Sequence, residues 1–187
     1  SDSGSAYIFE DTGSGWTQIA KLLAGDGAAS DYFGYSVSIS GGTAIVGAYY
    51  DDDNGSLSGS AYIFEDTGSS WTQVAKLTAD DGAAADSFGV SVSISGGTAI
   101  VGALYDDDNG TNSGSAYVFE GAGSSWTQVA KLTAGDGTAA DSFGVSVSIS
   151  GGAAIVGARF DDDDGTDSGS AYIFEDTGSG WTQVAKL

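Results

Sequence analysis

The chain has 187 residues, with 26 Asp or Glu against five Lys or Arg, and so carries a formal charge of −21. It contains no His and no Cys, which excludes a disulfide framework, a thiolate nucleophile, a Ser-His-Asp triad and a zinc site of nitrogen and sulfur ligands. The charge repels nucleic acid and anionic lipid, and no run of about 18 apolar residues is present to insert into a membrane.

The first predicted elements are Ser5–Glu10 and Trp16–Leu22, joined by Thr12-Gly13-Ser14-Gly15 as a hairpin. Next comes Tyr35–Ser40, in which Tyr35, Val37 and Ile39 alternate with Ser36, Ser38 and Ser40. That period of two belongs to a strand. The Ser40-Gly41-Gly42 turn then leads into Thr43–Ala48. Such an acidic, Gly-rich composition is often that of a disordered chain. Here 41% of residues are hydrophobic and 11% aromatic, set in short regular runs, and no stretch has helical periodicity.

The same elements then recur. Trp16, Trp71, Trp126 and Trp181 are spaced by 55 residues, as are Phe33, Phe88 and Phe143. Residues 5–22 and 170–187 differ only at Ile19 and Val184. Four antiparallel strands in a unit of this length fit a propeller blade, whereas a β-solenoid has shorter coils. The predicted fold is all-β: β-propeller blades, four-stranded antiparallel sheets repeated every 55 residues, about three and a half blades in residues 1–187. As a single repeat domain it divides into a half blade at 5–22 and blades at about 33–77, 88–132 and 143–187. A closed ring of four such blades needs about 220 residues. The expected state is therefore a homo-oligomer or a piece of a longer array. The missing initiator Met and leader likewise read as a mature piece.

The units resemble FG-GAP repeats, the blades of integrin α-subunit propellers and of many bacterial surface proteins. The residues that carry the likeness are Phe33-Gly34-Tyr35-Ser36, Ala44-Ile45-Val46-Gly47-Ala48 and Gly59-Ser60-Ala61-Tyr62-Ile63-Phe64, with equivalents from Phe88 and Phe143. The resemblance implies a propeller whose innermost strand starts at the Phe-Gly, calcium-binding loops, and a secreted or cell-surface setting in adhesion or matrix interaction. Two departures stand out. Tyr49, Leu104 and Arg159 replace the Pro of the GAP element, and the family's calcium loop position holds only Ser40-Gly41-Gly42.

If strands run from inner to outer in chain order, the loops after the second and fourth strands share one face. That face collects 19 of the 26 acids, among them Asp2, Asp26, Asp31, Asp81, Asp86, Asp136, Asp141 and Asp167. Its densest runs are Asp51, Asp52, Asp53 and Asn54, then Asp106, Asp107, Asp108 and Asn109, then Asp161, Asp162, Asp163 and Asp164. Hard oxygen ligands at this density select Ca²⁺, which takes six to eight of them; solvation by monovalent counterions is the alternative. Asp26, Asp81 and Asp136 are expected to form Asx turns, with completion of a metal shell as the alternative. Asp31, Asp86 and Asp141 are expected to bond local amides.

Tyr50, Tyr105 and Phe160 adjoin the Asp runs and are candidates for stacking on a ligand; loop anchoring is the alternative. The repeated Trp reads as blade packing, or else as a sugar platform. Carboxylates repeated equally in every unit do not make the asymmetric pair that glycoside hydrolysis needs, so no enzyme is expected. The expected function is a calcium-binding adhesion module whose acidic face takes a protein or glycan. A self-assembling structural repeat and a calcium-dependent lectin are the alternatives.

Overall fold

The structure, a computed structural model, describes residues 3–187. A hairpin of β1 (Ala6–Asp11) and β2 (Trp16–Leu22) comes first. It is followed by β3 (Ser36–Ser40), β4 (Thr43–Ala48), β5 (Ser60–Asp66) and β6 (Trp71–Leu77), which pair in chain order as one four-stranded sheet. The next sheet comprises β7 (Phe88–Ser95), β8 (Thr98–Ala103), β9 (Ser115–Ala122) and β10 (Ser125–Leu132). The last comprises β11 (Phe143–Ser150), β12 (Ala153–Ala158), β13 (Ser170–Asp176) and β14 (Trp181–Lys186). All neighbours within the sheets are antiparallel. This is the expected all-β arrangement of three and a half four-stranded blades.

Alternation explains how each sheet packs on both faces. The Ser side of β3 meets the following blade: Ser36 Oγ donates to the Gly89 carbonyl at 2.7 Å, and Ser38 Oγ accepts the Ile94 amide at 3.2 Å. The Val and Ile side of each inner strand turns the other way, so Val92 and Ile94 bury against Ile45 and Ile63 of the preceding blade. Small residues let the sheets approach. A Cβ on Gly47 would overlap the Gly89 carbonyl oxygen, and one on Gly102 the Gly144 carbonyl oxygen. A parallel bridge repeats at each junction, pairing Gly4 with Phe33, Gly59 with Phe88 and Gly114 with Phe143. Phe88 stacks edge-on against Tyr117 and Phe119 of its own sheet, and Phe143 repeats this with Tyr172 and Phe174.

The outer strand pair of every blade carries a register shift, between Ile63 and Phe64 in the first complete sheet. Gln73 pairs with Phe64 and Ala75 with Ile63, which leaves Val74 as the extra residue of a bulge. A bulge re-aims the side chains beyond it. It therefore turns Lys76 to the same side as Gln73, toward the crossing loop of the preceding blade.

Trp71, Trp126 and Trp181 pack against the inter-blade cores as expected. Trp16, on the half blade, is 74% exposed.

Candidate functional site

Loops after the second and fourth strands do meet on one face, and each meeting point centres on a lysine. Lys76 Nζ lies 2.8 Å from Asp26, 3.2 Å from Asp51 and in close contact with Asp53. Lys131 repeats the arrangement with Asp81 at 2.7 Å, Asp106 at 3.2 Å and Asp108 at 2.5 Å. Lys186 repeats it with Asp136 at 2.7 Å, Asp161 at 3.1 Å and Asp163 in close contact. Three blades thus carry three copies of one clamp: an ammonium from the end of the outermost strand, two carboxylates from its own blade and one from the preceding crossing loop.

A buried tyrosine closes each clamp. Tyr62 donates its hydroxyl to Asp51 at 2.9 Å and lies 3.0 Å from Asp26, while Tyr117 bonds Asp106 at 2.9 Å and Tyr172 bonds Asp161 at 2.7 Å. The lysine ammonium also stands over the tyrosine ring, at 5.1–5.2 Å from its centroid, a cation–π contact. Burial and the adjoining carboxylates push all three tyrosine hydroxyls upward in pKa, so they remain protonated donors. Burial works against ionisation of Asp161, but hydrogen bonds from Tyr172, Ser170 and Lys186 overcome it and bring the group down to about 2. Lys131 and Lys186 are raised: burial disfavours their charge, and the carboxylates around them more than restore it.

The structure distributes the twelve candidate metal ligands among different tasks. Asp51, Asp53, Asp106, Asp108, Asp161 and Asp163 converge on the lysines. Asp52, Asp107 and Asp162 turn to their own loops, where each accepts at 2.7 Å the amide of Leu57, Asn112 or Asp167. Those three residues have φ of 60°, 57° and 54°, a left-handed conformation uncommon outside Gly, and the carboxylate fastens it. Asn54 and Asn109 donate to the Ala79 and Ala134 carbonyls in the crossing loops that follow β6 and β10. Asp164 takes the Asn position of the third loop, where its amide donates to Ser168.

Asp26, Asp81 and Asp136 join the shell from the neighbouring loop, the less favoured of their two expected roles, although the cation at its centre is an ammonium. Asp31, Asp86 and Asp141 accept the amides of Ala28, Ala83 and Thr138 at 2.5–2.7 Å, as local loop caps. Asp2 lies outside the described residues.

Calcium implied by the resemblance can be tested against this donor set. Asp51 spends one carboxylate oxygen on Ser60 and the Asp53 amide, and the other on Tyr62 and Lys76. The centre of the oxygen shell is filled by a tethered cation. A Ca²⁺ ion needing six to eight oxygens does not fit the residues as they are arranged. The signal for the lysines is their own repeat: one recurs in every unit, at Lys21, Lys76, Lys131 and Lys186, in a chain with five cations.

Two of the three stacking candidates share a second feature. Tyr50 and Tyr105 line a cavity of about 240 Å³, together with Tyr35, Tyr49, Leu104 and Arg159. It lies beside the acidic loops, where the inner strands of successive blades converge. Tyr49 is pushed up to about 12 by burial and by the neighbouring tyrosines. Phe160 lies outside the lining; the Arg159 guanidinium covers its ring at 4.4 Å. Among the described residues Arg159 makes no ion pair.

Repeated four-stranded antiparallel blades define a propeller-type protein. The described chain superposes on the crystal structure of Saccharomyces cerevisiae Sqt1 with a TM-score of 0.53 at 12% identity, over 85% of this chain and 36% of that one. That likeness concerns the fold alone, and the chain spans about a third of that structure's length. No curated protein matches the sequence. The FG-GAP repeat model matches three times, at residues 16–64, 71–119 and 126–174. The chain belongs to the FG-GAP repeat family.

Proposed function

We propose that the chain is a non-enzymatic binding module, secreted or at the cell surface, whose acidic face takes a protein partner in adhesion or matrix contact. The observation that carries this reading is the cavity to which Tyr35, Tyr49, Tyr50, Tyr105 and Arg159 come from three successive blades. Tyrosine gives large, rigid contact area at small entropic cost, and with Arg it is enriched at binding hot spots. Around the cavity each clamp sets three carboxylates against one ammonium, which leaves the rim negative and suited to a basic partner surface. The cation on this face is the lysine of each clamp in place of calcium.

The test is binding to immobilised fibronectin and collagen, with the Y50A/Y105A double variant alongside. Salt-sensitive binding that the variant loses supports the reading; equal binding by the variant removes the cavity from it. The same tyrosines, of which Tyr35 and Tyr105 are exposed, support a second reading, a glycan-binding lectin. A glycan array with no hits excludes that one.

A further inference from the structure

Near-identical repeats build near-identical surfaces, so a place where they differ is informative. Aligned by unit, residues 5–59, 60–114 and 115–169 carry three different residues at only two positions. One is Leu57, Asn112 and Asp167, the left-handed residue of each acidic loop. The other is Tyr49, Leu104 and Arg159, and all three line the cavity of about 240 Å³ beside those loops. The rest of the lining is unequal too. Tyr35 stands where the later units have Val90 and Val145, and Tyr50 and Tyr105 stand where the third has Phe160. Every lining residue lies within or next to the first two strands of a four-stranded sheet, so the cavity belongs to internal junctions of the arc.

The lining combines two chemistries. Tyr35, Tyr49 and Tyr50 form a continuous aromatic wall, with the Tyr49 ring centroid 4.3 Å from that of Tyr35 and 4.1 Å from that of Tyr50. Tyr35 and Tyr105 are exposed and leave ring surface open to a ligand. The third blade supplies Arg159, the one cation of the chain outside the repeated lysine position. Its guanidinium rests over the Phe160 ring at 4.4 Å, a contact that holds the fork in place.

Each chemistry selects part of a ligand. Guanidinium pairs a carboxylate through two parallel hydrogen bonds. Tyrosine rings cover the apolar C–H face of a sugar, and their hydroxyls serve its hydroxyl groups. The volume lies below the roughly 300–1,000 Å³ of a drug-sized pocket, which is room for one ring. The Asp runs on the same face repel a polyanion such as a sulfated chain, and so favour an anion with a single charge. We propose that the cavity is a subsite for one carboxylated sugar, a uronic acid residue, whose carboxylate pairs with Arg159 while its ring lies against Tyr35, Tyr49 and Tyr105. The inference rests on the glycan reading of this cavity given above. Because the three blades contribute unlike residues, there is one such site in the arc and not one in each blade.

Saturation-transfer NMR titrations of the full chain test it, with methyl glucuronide and methyl glucoside as probes. The two differ only at C6, carboxylate against hydroxymethyl. Arg159→Gln is measured alongside; the residue is exposed, so circular dichroism should report unchanged folding. The expected result is that the parent binds the glucuronide about tenfold or more tighter than the glucoside, the preference of a charge-assisted pair, and that Arg159→Gln binds both at the glucoside level. Equal binding of the two sugars by the parent overturns the carboxylate assignment and leaves the glycan reading standing. A preference that survives in Arg159→Gln removes Arg159 as the partner and overturns the proposal. Binding of neither sugar overturns the proposal and the glycan reading together, and leaves the protein-partner reading to its own test on fibronectin and collagen.

Discussion

The Lys131 ammonium stands 3.2 Å from the buried carboxylate of Asp106, a residue 25 positions earlier in the chain. This pair ties the outermost strand of a blade to the loop after its second strand, and through Asp81 it reaches the crossing from the blade before. The acidic face is thus part of the framework that holds successive blades together.

Lys131→Met removes the ammonium and leaves Asp106 buried without a counter-charge. Breaking a buried pair from one side costs about 3–5 kcal/mol, and the exposure of Asp81 and Asp108 brings the expected loss to the lower end, about 3 kcal/mol. Urea denaturation of the variant against the parent measures it. A loss indistinguishable from zero would show the clamp to be incidental.

Tyr117→Phe takes one donor from Asp106 and leaves the ring packing unchanged. A hydrogen bond to a charged group is worth about 1.5–3 kcal/mol, so the variant should unfold earlier by that amount. The equivalent changes at Tyr62 and Tyr172 should act in the same direction, since their hydroxyls contact Asp51 and Asp161. A null effect at all three would remove the tyrosine from the clamp's energetics.

Stability should depend on pH in a stated direction. Asp161 is held at about 2 against an ordinary 3.8, and Asp26, Asp81 and Asp136 are lowered too. A carboxylate depressed in the folded state stabilises it above the unfolded value and loses that contribution as pH falls through the folded value. The acid limb should therefore open near the ordinary carboxylate value and be complete below about 2. Lys131 and Lys186 are raised above 10.5, so their contribution is full below that value and fades as pH climbs through the raised ones. Denaturation midpoints across the acid and alkaline ranges should trace a plateau with two falling limbs; a midpoint that holds steady into strong acid would contradict this.

Gly102→Ala drives a methyl group into the Gly144 carbonyl of the next blade. Backbone cannot yield as a side chain can, so the expected cost is about 3 kcal/mol or more. Gly157→Ala meets only Ser146, chiefly its mobile hydroxyl, and should cost less than about 1 kcal/mol. Thermal melts of the two variants side by side measure the difference, and equal losses would mean that the blades do not depend on that close approach.

Strand existence, order and shared loop face were legible in the sequence. The alternation across Tyr35–Ser40 and the Gly-Gly turn fix one hairpin, and the predicted Ser5–Glu10 strand lies one residue from the observed Ala6–Asp11. That the loops of Asp26 and Asp51 share one face follows from strand order, but their meeting at the Tyr62 hydroxyl does not, since the sequence favours an Asx turn for Asp26. Lys76 escaped because simple alternation puts it opposite Gln73, whereas the bulge at Val74 sets both toward the preceding crossing loop, where Gln73 accepts the Gly25 amide at 2.9 Å and Lys76 reaches Asp26. One extra residue in a strand reverses every side chain after it. Oxygen-rich loops then read as a metal site, because the cation that neutralises them comes from a strand whose facing the pattern had reversed. Lys21 shows the converse. It stands over the Tyr7 ring at 5.7 Å and has no carboxylate partner among the described residues.

The most direct test of the lysine clamp is the melting temperature of the full chain in millimolar calcium compared with EGTA. A fold whose carboxylates are already held by Lys76, Lys131 and Lys186 should melt at the same temperature in both. A ligand that binds only the folded state raises the melting point by an amount that grows with the logarithm of its concentration over its dissociation constant, so a clear rise with calcium would contradict the clamp and return the acidic loops to metal binding.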